Sequence, residues 1–581
     1  MIKKSFWFEW YEGSKQKTTK RIRFEWKAVI AIFVIFLVIW SFYNVFGKIN
    51  PRGFQIFSEN FKDFFAFWNV SVKYPGYSLI SLSFQFLWTS LKYVALGNTI
   101  GFILAMISSY FSARNINKSY VSTLLKSIIL FFRAFPVLVF VYAFREGFES
   151  ILVASLVFSW FTWLWLHKYI YEIIENVDLK KYNHYIMTGY SKFSAYRKGI
   201  FPEIKTKLIL IYFLSFEANL RWSSILGAAG VEGIGSLFND AWKDNKYRFK
   251  AIGIPLVIFL FAILFLEAIN LFLNKVVLYR KNRTFSEKDY GYCFNWKTWF
   301  QVFLILIFVV IALIAFSEIR WNFSRINDFG IFLKSVFIPR FDFWFTPVRE
   351  NNPFFMIGTV IFQSISIVVL TIFFALLISI FLNEKLNSKY VYLPLKIINS
   401  VVRVIPTIFW FFIFSPIFHN PLLFVVVIAI SIHNSSVLSI QINALINAIN
   451  FKIYDNLKLQ GWSRGRLLIF YVLPSIKKDL ISWVVFKFED IFRNVILFGV
   501  FGSSLLGARL VSLLSPGRAQ ELSIAASYVY PIVIFIILLN IFSAFFKKKS
   551  WKKVKDKNSS FKNKLINHSK VISTKLKRKI K

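Results

Sequence analysis

Phe216-Glu217-Ala218-Asn219-Leu220-Arg221 runs into Leu226-Gly227-Ala228-Ala229-Gly230 and Gly233-Ile234-Gly235 within an apolar stretch. At a spacing of 272 residues stand Phe488-Glu489, Arg493, Phe498-Gly499, Gly502 and Gly507. Charged residues inside apolar segments cost about 2.5–3.5 kcal/mol each at a bilayer centre on insertion scales. Two copies of so costly a pattern mark two concatenated versions of one membrane unit, with the same polar feature in each.

Outward from that motif the register holds. Arg133-Ala134-Phe135-Pro136 matches Arg403-Val404-Ile405-Pro406 at an offset of 270, and Gly189, Ser191 and Pro202 match Gly461, Ser463 and Pro474 at 272. A loop-length change of two residues reconciles the offsets. Matches in order on one register are the mark of a duplication.

The 581 residues are 56% hydrophobic and 20% aromatic. Runs such as 28–47, 252–273, 299–316, 356–382 and 524–546 have the length, ~20 residues, that a helix needs to cross about 30 Å of hydrocarbon. The fold class is an all-α polytopic membrane protein. Spans are expected at 28–47, 79–107, 127–144, 149–168, 207–227 and 252–274, then at 299–317, 356–383, 396–415, 421–443, 481–500 and 523–546. That makes about 12 transmembrane helices in two parallel six-helix repeats, related by an axis along the membrane normal. The expected organisation is a basic segment 1–27, a first unit 28–274, a linker 275–298, a second unit 299–546 and a basic tail 547–581.

The formal charge of +42 would suggest nucleic acid in a soluble chain. Here the basic residues lie largely between and beyond the apolar runs, and the tail alone carries 15 Lys or Arg against Asp556. Positive residues flank cytoplasmic span ends, so both termini read as cytoplasmic. The tail is expected beside anionic lipid. No aromatic-basic module of a nucleic-acid binder is present in the sequence. A single cysteine, Cys293, excludes an internal disulfide. The first apolar run lacks an A-x-A-like cleavage site and reads as a retained span.

Glu217 and Arg221 stand four apart, as do Glu489 and Arg493, so each pair shares a helix face. Each is expected to face protein or a wet cavity, either fixing its helix or touching a transported solute. Gly227, Gly230, Gly499 and Gly502 permit close backbone approach, at a unit interface or a tight re-entrant turn. Arg133 and Arg403 precede prolines that kink a helix and free a carbonyl. They either face a central path or snorkel to the headgroups. Gly97 and Gly101 form a small-xxx-small packing surface. The loops around Gly189 and Gly461 place Gly and Pro thirteen residues apart, the pattern of a helix–Gly–helix knob or of an ordinary amphipathic connector.

These residues resemble the membrane component of ATP-binding-cassette importers. The cytoplasmic coupling loop of that family carries Glu-Ala-Ala, a Gly six residues after the Glu, and a closing Leu-Pro. Gly189 and Gly461 match the Gly, Leu473-Pro474 matches the ending, and Phe201-Pro202 matches it loosely. The triplet is replaced by Asn183-His184-Tyr185 and Asp455-Asn456-Leu457, so only Asp455 keeps the acid. Phe216, Glu217, Asn219, Arg221, Leu226, Gly227, Gly230, Gly233, Ile234 and Gly235 resemble the phosphonate-type branch, in its mycoplasma-like form with two permease domains fused in tandem. The second copy departs with Ile491 for Asn and Leu505 for Gly.

The resemblance implies the type I importer permease fold and a bacterial plasma-membrane location. It implies ATPase subunits docked on the loops of Gly189, Ser191, Pro202, Asp455, Gly461, Ser463 and Pro474, and an extracellular substrate-binding lipoprotein. It also implies a phosphonate or other phosphorylated organic anion as cargo. No G-x-x-x-x-G-K-[ST] or H-E-x-x-H motif occurs, so ATP hydrolysis is expected in a partner chain, with no catalytic residue, metal or cofactor here. The alternatives are an ion-gradient transporter using Glu217 and Glu489 as proton carriers, and a non-transporting scaffold.

Overall fold

The computed structural model describes residues 7–12, 17–22, 24–71, 73–243, 249–277, 296–419, 421–515 and 521–542. Most of the expected linker 275–298, with Cys293, and the whole Lys-rich tail 547–581 lie outside the described residues. Near the start, β1 (Trp7–Glu12) pairs antiparallel with β2 (Lys17–Ile22), a hairpin inside the segment expected only to be basic.

The first unit contains α1 (Phe24–Val45), α2 (Gly53–Phe64), α3 (Leu79–Ser112), α4 (Ser119–Ala134), α5 (Val137–Gly147) and α6 (Ser150–Glu175). It continues through α7 (Lys180–Met187), α8 (Lys192–Ala195), α9 (Phe201–Leu226), α10 (Ile234–Lys243) and α11 (Gly253–Phe272). The second unit repeats this order with α12 (Trp296–Ser317), α13 (Ile326–Val336), α14 (Pro353–Leu382), α15 (Lys389–Val404), α16 (Thr407–Phe414) and α17 (Leu423–Asn447). It ends with α18 (Phe451–Leu459), α19 (Arg464–Leu467), α20 (Leu473–Leu497), α21 (Leu505–Leu514) and α22 (Leu522–Phe542). Even the short π-helical turns Tyr196–Ile200 and Leu468–Val472 coincide at 272. The duplication read from single residues extends to every described α-helix.

Among the described residues, 8 helices are long and apolar enough to cross a membrane, and three bent pairs raise the number to 11. The twelfth expected span is α9, counterpart of α20, whose Glu217 and Arg221 dilute its apolar character. Two expected spans are corrected. Residues 127–144 and 396–415 are not continuous helices: α4 meets α5 at 82° and α15 meets the 407–417 segment at 89°. Pro136 and Pro406 stand at the N-caps of α5 and α16. A proline has no N–H to continue the ladder and disfavours helical backbone before it, so the chain turns there rather than bending gently.

Within each unit a long helix pairs with the third following it, α3 with α6 and α14 with α17. Gly97 and Gly101 make the first pairing close: a Cβ on Gly97 would stand 2.6 Å from the Phe158 Cβ, and one on Gly101 2.5 Å from the Ser159 carbonyl oxygen. The units then exchange their first helices. α1 packs on α14 and α12 on α3, while α2 touches residues 415–417 and α13 touches α5. Backbone bonds seal one exchange, Asn50 N–H to Ile417 O at 2.9 Å and His419 N–H to Lys48 O at 3.0 Å. These contacts put the N-terminal ends of α6 and α17 on one side, so the loops after their C-terminal ends share the other. One apolar core runs through both units, and the outer faces of α1, α3, α12 and α14 expose Phe, Ile, Leu and Val. Exposed apolar side chains along membrane-length helices meet lipid.

Candidate functional site

α9 begins with Pro202 in its first turn and α20 with Pro474, positions where a missing N–H costs nothing. Each helix carries its Glu/Arg pair in its C-terminal half, shortly before the break that follows. Arg221 Nη2 bonds Glu217 Oε1, and Asn270 on α11 donates to the other Glu217 oxygen. In the second unit Arg493 Nη2 bonds Glu489 Oε1 at 2.6 Å. Glu217 is 9% exposed, and both pairs face protein.

The arginines also reach across units. Arg221 Nη1 donates to the Arg403 main-chain carbonyl at 3.1 Å, and Arg493 Nη1 donates to that of Arg133. Those carbonyls are the ones released where α4 and α15 stop before their prolines. The Arg133 and Arg403 side chains cross in the same sense. Arg133 meets Glu489 at 3.4 Å and Asn540 Oδ1 at 3.0 Å, and Arg403 pairs with Glu267 on α11. Their side chains are only 16% and 25% exposed, so they serve a buried network instead of reaching for headgroups. Taking charge out of water is expensive unless it is paired and hydrogen-bonded, and this network supplies both.

Asn219 donates to Asn98 Oδ1 at 3.0 Å and Thr162 Oγ1 at 2.7 Å, tying α9 to α3 and α6. Its counterpart Ile491 is fully buried in the apolar core. The glycines close a turn within each unit: a Cβ on Gly227 would stand 2.0 Å from the Gly235 carbonyl carbon, and one on Gly499 2.1 Å from that of Gly507. Gly230 and Gly502 take φ of +85° and +70° to reverse the chain into α10 and α21. Sequence reasoning missed Glu267, Asn270 and Asn540. A lone acid in the otherwise apolar run 252–273 was the available signal.

A cavity of roughly 220 Å³ lies between the units. Arg133, Phe161, Trp165, Asn219 and Trp222 line one side, Asp490, Arg493 and Asn494 the other.

Away from the membrane centre, Gly189 and Gly461 hold φ of +86° and +84°, each turning the chain between two short helices. Ser191 Oγ caps α8 through the Ser194 N–H, and Ser463 Oγ caps α19 through that of Arg466. Tyr182, Ala195 and Ile200 seat the first knob on Leu166, Ile170 and Ile174; Tyr454, Leu467 and Val472 seat the second on Leu438, Ile442 and Ile446. Burial pushes the Tyr182 and Tyr454 hydroxyls up from their ordinary range, so both remain neutral. Asp178, just before α7, is held below the usual carboxylate range by the Lys180 N–H. Asp455 is exposed on α18. Met187 and Leu459, 272 apart, are each 86% exposed at the knob tips.

Two intertwined membrane units around a shared polar centre, each bearing a seated knob on one side, define a duplicated transport-type membrane subunit. The chain belongs to the family of binding-protein-dependent transport system inner membrane components, whose pattern matches residues 97–284 and again 375–555. It is a multi-pass permease subunit of the ATP-binding-cassette class, a transport component and not an enzyme. It is similar to the ABC transport system permease protein p69 of Mycoplasma genitalium, 29% identical over 530 residues that cover 90% of this chain and 94% of that protein. The p69 protein of Mycoplasma pneumoniae is 29% identical over 506 residues, covering 87% and 91%. The phosphate-import permease protein PhnE of Mycolicibacterium smegmatis is 23% identical over 460 residues, covering 78% and 82%. No solved structure matches the chain. Family membership replaces the ion-gradient and scaffold alternatives.

Proposed function

We propose that this chain forms the complete membrane path of an importer for a phosphonate or other phosphorylated organic anion. The observation that carries the reading is a cavity lined by both units at the crossing of Arg493 to Arg133, a crossing that Arg221 to Arg403 repeats in the reciprocal sense. Cationic guanidinium groups in a water-poor space favour an oxyanion, and their planar fork suits a phosphoryl group. Similarity to a protein named for phosphate import supports the same cargo class.

In this reading residues 28–274 and 299–546 are the two permease domains. The knobs of Gly189 and Gly461 lie in the cytoplasm, both termini beside them, and each knob seats one ATPase subunit. An external binding protein delivers cargo to the opposite face. ATP binding drives the units between inward- and outward-open arrangements by rigid-body motion. The test is reconstitution in liposomes with the ATPase and binding protein. Uptake of labelled methylphosphonate or phosphate is expected to require ATP and to survive an uncoupler. Uptake that continues without the ATPase would refute the reading.

A further inference from the structure

A slot of roughly 350 Å³ opens between α14, α15 and α17 in the second unit. Phe374, Phe381 and Ile398 at its mouth are exposed on the outer face of the helices, where lipid lies. The C-terminal ends of α14 and α17 are tied together, Asn383 Nδ2 donating to Asn443 and Asn447 at 2.7 and 3.0 Å. The knob of Gly461 follows α17 directly, so the slot lies towards the knob side of the membrane.

The same place in the first unit is occupied. Ala105 and Ala375, both fully buried, set α3 and α14 in register at 270, as Arg133 and Arg403 set α4 and α15; the knob seats set α6 and α17 at 272. In the first unit Trp163 Nε1 donates to Ser108 Oγ at 3.0 Å. Trp160 packs edge-on against Phe132 and Trp163, with ring centroids 5.5 and 5.3 Å apart. In the second unit Ser435 stands for Trp163, Ile432 for Trp160, Val402 for Phe132 and Ile378 for Ser108, and all four line the slot. Only the last exchange adds bulk. The slot is the volume that two indoles and a phenyl ring leave.

Its polar wall groups are engaged within the protein. Asn399 Nδ2 donates to the Ser436 carbonyl and to Ser439 Oγ, both at 3.2 Å, and Ser435 Oγ donates to the Ile432 carbonyl at 2.9 Å. An occupant that matches these walls is apolar.

We infer that the slot seats one acyl chain of a phospholipid in the knob-side leaflet, standing where the first unit uses its own tryptophans. The inference is independent of what the chain carries. Lipid tails are as apolar as the walls, so the chain is held by dispersion contacts on several sides at once. α15 carries Arg403 in its last turn, whose carbonyl accepts from Arg221 and whose side chain pairs with Glu267. An acyl chain seated against α15 therefore also steadies that joint between the units.

The test places the full chain in nanodiscs of phosphatidylglycerol bearing a diazirine on one acyl chain, irradiates it, and maps the labelled residues by mass spectrometry. Residues 104–111, on the outer face of α3, report lipid in passing contact and serve as the standard. Residues 395–402 and 432–435 are expected to be labelled at least threefold more than their counterparts 125–132 and 160–163. Ile432→Trp with Ser435→Trp transplants the first unit's filling and is expected to lower labelling of 395–402 at least threefold, with 104–111 unchanged. The reverse exchange, Trp160→Ile with Trp163→Ser, is expected to raise labelling of 125–132 and supplies an independent readout should the filled variant not fold. Equal labelling of the two units in wild type, or labelling indifferent to both exchanges, overturns the inference. A slot left unlabelled because a second copy of the chain or another helix covers it overturns it as well.

Discussion

Arg221 on α9 donates to the main-chain oxygen of Arg403 in the other unit at 3.1 Å, and the same side chain pairs with Glu217 one turn back. One guanidinium thereby fixes its own helix and the proline break of its partner unit. Arg493 does the same for Arg133. Each Glu/Arg pair is therefore a joint between units as well as a local neutralisation.

Removing one member of a buried pair leaves a charge without a partner, at about 3–5 kcal/mol. Arg221→Gln is expected to lose stability on that scale in detergent melts. The double variant Glu217→Gln, Arg221→Gln is expected to regain at least half of the loss. If the double variant is the sum of the singles, the pair is not coupled.

The helix exchange predicts a cross-link. Ile49 and Phe418 form an isolated antiparallel bridge between units, and the bonds flanking it make them a non-hydrogen-bonded pair. Such pairs hold their Cα atoms about 4.5 Å apart, within disulfide reach. Ile49→Cys with Phe418→Cys, on a Cys293→Ser background, is expected to oxidise to one bridged peptide by mass spectrometry. Failure to form it while both thiols stay reactive would argue against the exchange.

Glycine positions separate into two kinds. Gly227→Ala and Gly499→Ala put a methyl into backbone and are expected to abolish folded expression. Gly189→Ala and Gly461→Ala meet nothing within 4 Å but must hold positive φ, at about 1–2 kcal/mol. The latter pair is expected to fold, with a displaced knob and weaker coupling of ATP hydrolysis to uptake, checked as transported anion per ATP.

Met187→Glu and Leu459→Glu change side chains that touch little of this chain. Melting midpoints are expected to move by less than a degree or two, as surface substitutions rarely exceed about 0.5 kcal/mol. Co-purification of the ATPase is expected to fall at least tenfold in the double variant. Undiminished co-purification would move the docking surface elsewhere.

Residue identity made the duplication, the membrane-length runs, the Glu/Arg pairs and the Gly turns legible, because each reflects local chemistry: hydropathy, i,i+4 spacing, or the freedom of glycine. The breaks at Pro136 and Pro406 were legible as kinks but not as turns of 82° and 89°. A proline removes a bond, and the packing around it sets the angle. Asn219 was read from the motif, yet its bonds to Asn98 and Thr162 depend on three helices meeting.

By itself, then, the chain's order of residues determined a twice-repeated, lipid-embedded helical unit with costly charges at matched positions. Only the tertiary structure decided which unit completes which: α1 and α12 change places, and every Arg133, Arg403, Arg221 or Arg493 finds a partner across the divide. The reason is physical. Burial of apolar surface is indifferent to which copy supplies it, so pairing between near-identical halves is settled by shape and by hydrogen bonds that exist only after the helices are assembled.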